Sequence, residues 1–272
     1  MSEGFFITSD GCRLAYVDEG KGLPVFWQHG LGADRKQPAE VFPSIPGIRR
    51  ITLECRGHGA SELGDSSAIS IEQFSSDLIA LCDHLSIKRA AIGGISLGAA
   101  VALRIAVLHP GRVSALILAR PAWVSEDAPP QLRIYNDVSV LLETYGIEEG
   151  SRRFGRSELL QEIEVTSPDN ANSLRSFFAR PNTKSTIQLL SRIPLQGPGV
   201  GRQSISHLVV PTLIIACGED FVHPISTALA LKELISGANF QQITSKTVNR
   251  DRYVSEFESV IKQFVGQLPS KL

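Results

Sequence analysis

The stretch IGGISLGAA, residues 92–100, sets one hydroxyl, Ser96, midway between Gly94 and Gly98. An apolar run precedes it and an alanine-rich helical pattern follows. Gly-x-Ser-x-Gly between a strand and a helix suits a nucleophile. The sharp turn strains its central residue and lifts that residue's side chain off the strand end. Its neighbours two positions either side must pass close to each other and to the next strand, which glycine permits because it lacks a Cβ. The helix that starts at Leu97 leaves its first N–H groups free, and these favour a developing negative charge. A second loop, His29-Gly30-Leu31-Gly32, follows the apolar strand PVFWQ. Glycines on both sides of Leu31 let its N–H turn toward the serine. Leu31 and Leu97 are therefore the expected oxyanion donors. The plainer reading of the motif is a tight turn whose serine caps a helix.

Further motifs share the chain with these: Arg56-Gly57-His58-Gly59-Ala60-Ser61, Leu108-His109-Pro110-Gly111-Arg112-Val113, and Gly218-Glu219-Asp220 leading to His223-Pro224. With His29–Gly32 and Gly94–Gly98, they make the sequence resemble the α/β-hydrolase fold superfamily over nearly its whole length. The resemblance implies a mostly parallel eight-stranded sheet with helices on both faces and a helical cap inserted after strand 6. It also implies the catalytic order nucleophile, acid, histidine. By that resemblance Ser96 is the nucleophile and Asp220 the acid, whose task is to orient a histidine and stabilise the imidazolium. The alternative for Asp220 is a cap on the helix that begins near Pro224. The family places its histidine after the eighth strand, near Lys246 or Thr247 here. No histidine occurs between Pro224 and Leu272.

Six histidines remain to be weighed. His29 and His58 belong to loops that are structural in many family members. His84 falls on a surface helix, His109 at a helix end, and His207 ahead of the seventh strand. His223 follows Asp220 by three residues on the correct side of the sheet, but one loop presenting both acid and base is an awkward expectation. Lys246 can act as a base only if burial lowers its pKa by several units. The base is left open between these weak candidates and none.

The elements that must position these groups alternate. CRLAYVDEG, PVFWQHG, RRITLECRG, RAAIGGIS, RVSALILA, PTLIIACG and NFQQIT read as strands. A helix starts at Ser70 with Gln73 as its capping-box partner and Phe74, Leu78, Leu81 and Leu85 at helical spacing. A last helix carries Val254, Phe257, Val260, Ile261, Phe264 and Val265 on one stripe. Strands alternating with helices imply parallel βαβ units. Residues 122–206 show helical patches and no clear strand. The expected organisation is therefore a core of 1–121 and 207–272 with a cap of 122–206. The cap carries Trp123, Tyr135, Tyr145, Phe154, Phe177 and Phe178. Trp123, directly after the sixth strand, is the expected pocket residue. Arg120 beside it suits either an acidic substrate group or a structural ion pair.

Composition narrows the partners. Lys and Arg number 27 against 28 Asp and Glu, without clustering. That speaks against a nucleic-acid or membrane-surface partner. Cys12, Cys55, Cys82 and Cys217 show no metal-ligand spacing, and no metal or cofactor is expected. No run approaches a membrane span, and the N-terminus lacks a basic, apolar leader, so a cytoplasmic location is expected. The reading that results is a cofactor-free serine hydrolase acting on a small-molecule ester, lactone or thioester of a small organic acid. Its rivals are a ligand-binding or regulatory protein on the same scaffold, and a cofactor-free lyase or isomerase in the same pocket. Both rivals draw on the segment ITSKTVNRDR, where the histidine is missing.

Overall fold

The computed structural model describes residues 2–269. Its eight strands are β1 (Ser2–Ile7), β2 (Arg13–Gly20), β3 (Leu23–Gln28), β4 (Ile48–Leu53), β5 (Ala90–Ile95), β6 (Val113–Ala119), β7 (Thr212–Cys217) and β8 (Asn239–Ile243). They form one sheet in the order β1-β2-β4-β3-β5-β6-β7-β8. β2 runs antiparallel to β1 and β4, and every other pairing is parallel. β1 carries no strand pattern in the sequence. Its burial pattern explains why: only Phe6 is buried, so the strand lacks an apolar face.

The central strands are apolar throughout because both of their faces are covered. Leu116 and Leu118 of β6 point into one core layer, while Ala115, Ile117 and Ala119 point into the other. The helices in chain order are α1 (Lys36–Val41), α2 (Ile71–His84), α3 (Leu97–Leu108), α4 (Arg133–Phe154), α5 (Glu158–Thr166), α6 (Pro168–Ser176), α7 (Thr183–Arg192), α8 (Arg202–Ser206), α9 (Ile225–Leu234) and α10 (Arg250–Gly266). Residues of α2, α3 and α9 fill the first layer, and those of α1 and α10 the second. α2 starts where expected: Ser70 Oγ accepts from the Gln73 N–H at 2.9 Å. The reciprocal half of a capping box is not made, because the Gln73 amide donates to Asp77 at 2.9 Å instead.

Between β6 and β7 the chain runs through α4 to α8 without a strand. Gly146 breaks α4 with φ 71°. All four cysteines are free and buried. No helix among the described residues is long and apolar enough to cross a membrane.

Candidate active site

β5 ends at Ile95, and Ser96 turns the chain into α3 with φ 56° and ψ −109°. A left-handed φ on a non-glycine residue is costly and clusters at functional sites. Ser96 stands at the N-cap of α3, yet its side chain makes no capping bond. The capping interpretation of the motif therefore fails, and the hydroxyl is free for other work. The backbone around it is locked: Ser96 N–H donates to Ala119 O at 3.0 Å, and Ser96 O accepts from Ala100 N–H at 3.1 Å. The two glycines serve close approach. A Cβ on Gly94 would lie 2.8 Å from the Gly98 Cα and from the Gln28 carbonyl oxygen, and one on Gly98 would lie 2.6 Å from that same oxygen. No side chain fits at either position.

Arg120 (φ 44°) and Glu219 (φ 52°) share the left-handed conformation. Together with Ser96 they lie just past β5, β6 and β7, so strain concentrates at the carboxyl ends of three adjacent strands. That edge is where open α/β sheets bind ligands. A cavity of about 180 Å³ opens there, bordered among others by Leu31, Ser96, Arg120, Tyr135, Asn170 and His223.

The Leu31 loop is held by its neighbours. Gly30 N–H donates to Gln37 Oε1 at 2.7 Å, Gly32 N–H to His58 Nε2 at 3.0 Å, and Ala33 N–H to Gly30 O at 3.2 Å. Among the described residues no acceptor takes the Leu31 N–H. Leu97, as the first residue of α3, likewise has no carbonyl partner within its helix. Gly32 (φ 80°) is required twice over, since a Cβ there would collide with the Phe177 ring.

His29 and His58 are fully buried, with ring centroids 4.7 Å apart. His29 Nε2 accepts from Cys55 N–H at 3.0 Å, and its Nδ1 faces Gly30 O at 2.8 Å. His58 Nδ1 faces Arg56 O at 2.9 Å. Each ring thus carries its proton on Nδ1 and has no nitrogen left for catalysis. Burial keeps both neutral by pushing their pKa values down.

The loop after β7 supplies the charged part of the site. Asp220 is nearly fully buried. Its Oδ2 accepts from Arg120 Nε at 2.7 Å. Its Oδ1 accepts from the His223 N–H at 3.1 Å and lies 2.9 Å from His223 Nδ1. Burial alone would raise the Asp220 pKa, but the charge of Arg120 and the bonds from Arg120 and His223 outweigh it and hold the carboxyl far below the usual carboxylate range. An ionised carboxylate only accepts, so Nδ1 carries the His223 proton and Nε2 is left with a bare lone pair. That Nε2 is buried and has no hydrogen-bond partner. Burial lowers the His223 pKa; Asp220 pulls it back up, Arg120 pushes it down again, and the net direction is downward.

The segment between β6 and β7 fastens this loop. Ser167 Oγ, at the start of α6, accepts from Phe221 N–H at 3.1 Å, and Asn170 Oδ1 accepts from Val222 N–H at 2.8 Å. Neither contact was read from the sequence, because each depends on a long-range approach that local patterns do not encode.

Ser96, Leu31, Arg120 and His223 are thus brought together around one cavity, with Asp220 directly behind His223. Trp123 is not there. It is buried in the core, outside the cavity lining, where its indole N–H donates to Gln196 O at 2.6 Å. The aromatic residues that do reach the cavity are Tyr135 and Phe177. Lys246 also stays outside: its ammonium lies 3.4 Å from Glu40 and over the Tyr253 ring. No residue after His223 borders the cavity among those described. No cluster of three metal-ligating side chains occurs among the described residues.

Comparison with known proteins agrees with this architecture. The profile of the family described as alpha/beta hydrolase fold matches residues 24–245. A 2-hydroxymuconate semialdehyde hydrolase of Pseudomonas sp. (strain CF600) is 26% identical over 96% of this chain and 93% of its own. The AB hydrolase superfamily protein YisY of Bacillus subtilis (strain 168) is 26% identical over 85% of this chain and 89% of its own. Among solved structures, the enol-lactonase from Burkholderia xenovorans LB400 superposes with a TM-score of 0.75 at 20% identity, covering 97% of this chain and 100% of that one. At that identity the structural likeness speaks for the fold alone.

Proposed function

Since the chain belongs to the α/β-hydrolase fold family and is a hydrolase of that fold, we propose that it is a serine hydrolase cleaving an ester, lactone or thioester of a small organic acid. The observation that carries this reading is Ser96: a strained, uncapped hydroxyl on a cavity that Leu31 also borders. Ser96 Oγ attacks the carbonyl carbon. The Leu31 and Leu97 N–H groups receive the oxyanion, and Asp220 provides the negative charge that orients the base. These steps need no cofactor.

The cavity favours a small acyl group. About 180 Å³ is well below the 300–1,000 Å³ of ordinary drug-sized sites. Asn170, Ser173 and Ser176 along its border favour a polar substituent on that group. In this reading residues 122–206 act as a cap over the strand ends, and α6 supplies the polar border.

Incubation with a fluorophosphonate probe followed by intact-protein mass spectrometry tests the reading. One adduct is expected, mapped to Ser96 and absent from Ser96→Ala. If a control hydrolase reacts while this chain stays unlabelled, the serine-nucleophile reading is wrong. Ligand-induced thermal stabilisation without product would then point to a binding protein on this scaffold.

A further inference from the structure

The geometry points to His223 as the general base for Ser96, delivered by the same loop that carries the acid. This rests on the serine-hydrolase reading above and names the residue which that reading lacks. It differs from the arrangement expected from the sequence, in which acid and base come from successive strands. The spacing makes one loop an awkward source of both groups, because His223 follows Asp220 by only three positions. The structure shows how the adjacency works. Asp220 Oδ1 receives both the backbone N–H and the ring of His223, at 3.1 and 2.9 Å. The loop closes on itself, and the imidazole is fixed with Nδ1 toward the acid.

Three observations single out His223. It borders the same cavity as Ser96, and no other histidine does. Its Nε2 is a buried polar atom with no partner, a costly condition that calls for an explanation. Every competitor is otherwise engaged: His29 and His58 in backbone bonds, Lys246 with Glu40. No hydrogen bond joins Ser96 Oγ and His223 Nε2, and contacts of this kind commonly tighten only with substrate in place.

His223 Nε2 takes the Ser96 Oγ proton as Oγ bonds to the substrate carbonyl carbon. The carbonyl π pair moves onto oxygen, facing Leu31 and Leu97. Collapse breaks the bond to the leaving alcohol or thiol, which takes the proton from Nε2. Water then attacks the acyl-serine, giving its proton to Nε2. Expulsion of Oγ returns that proton to Ser96 and frees the acid.

Arg120 makes the arrangement unusual. It meets the second oxygen of Asp220 at 2.7 Å, so the acid lies between a permanent cation and the imidazole. Arg120 is a positioning residue here, since it acts through Asp220. The charged and titratable groups around His223 are Asp220 on its own loop, Arg120 after β6, Asp169 on α6 and the Tyr135 phenol on α4. Burial and Arg120 together disfavour the imidazolium, so the acidic limb of the pH–rate profile should fall below the ordinary histidine value near 6.5.

The test uses p-nitrophenyl acetate as acyl donor and the fluorophosphonate as a probe of Ser96. His223→Ala is expected to slow acylation by about 10²–10⁴-fold, the usual worth of a general base. Added imidazole should restore part of the loss, which a merely structural role would not allow. Arg120→Met should move the acidic limb of kcat/KM toward higher pH, and Lys246→Ala should stay within about twofold of wild type. If His223→Ala misfolds by thermal melting, His223→Gln retains a donor toward Asp220 and serves instead. Nitrogen NMR of the wild type gives an independent reading, with His223 expected as the Nδ1–H tautomer at pH 7. Wild-type labelling that persists at full rate in the His223 variants, or an Nε2–H tautomer, overturns the inference and leaves the nucleophile reading standing. A wild type that never labels at Ser96 overturns both.

Discussion

At the scale of single residues, the site trades stability for reach. Ser96 holds φ 56° and ψ −109°, a conformation that costs a non-glycine residue about 1–3 kcal/mol. Glycine relieves this strain, at about 0.5–1 kcal/mol in added unfolded-chain entropy. Ser96→Gly should therefore melt a few degrees higher while losing the fluorophosphonate adduct. A lower melting temperature would show that the hydroxyl contributes to packing. Trp123 supplies the contrast. Trp123→Phe strands the Gln196 carbonyl and should cost about 1–3 kcal/mol of stability with little change in kcat. A large loss of kcat with unchanged stability would return Trp123 to the substrate pocket. Residues of local origin were legible in the sequence: the glycines around Ser96 and Leu31 announce their turns through spacing alone. His223 is less legible, because its bond to Asp220 depends on the curl of a loop that spacing does not reveal.

At the scale of elements, loops brace one another. The RGHGAS loop after β4 sends His58 beneath the Leu31 loop, where it accepts the Gly32 N–H. His58→Leu removes that acceptor and leaves the N–H unsatisfied. The expected result is about 1–3 kcal/mol lost in chemical denaturation and, on the proposed mechanism, a fall in kcat larger than any rise in KM, because there the Leu31 N–H would serve the oxyanion more than the bound ester. An unchanged kcat would detach this brace from catalysis. The Ser167 and Asn170 bonds to the Phe221–Val222 backbone tie α6 to the acid-bearing loop in the same way. Periodicity revealed the strands and helices that bury a full face, such as β6 and α10. It did not reveal β1, with its single buried residue, or the Gly146 break within α4.

At the scale of the whole molecule, buried neutral histidines set the acid limit of the fold. His29 and His58 have pKa values pushed below the ordinary 6.5 by burial, and His223 shares that direction. Below pH 6.5 the unfolded chain binds protons that the folded chain refuses. Stability is therefore full above pH 6.5 and declines as the pH falls below it, by up to about 1.4 kcal/mol per pH unit for each such group. Urea titrations at pH 7.5, 6.5 and 5.5 should show a plateau and then a drop. A flat response down to pH 5.5 would contradict the neutral, Nδ1-protonated pair. β8, α10 and the turn between them put no side chain into the cavity; Ile243, Tyr253, Phe257 and Ile261 pack into the second core layer instead. With His223 as the proposed base, the turn at 246–248 holds no group that the proposed reaction uses. In a saturation scan scored for turnover, it should accept most replacements, while Asp220 and His223 accept almost none.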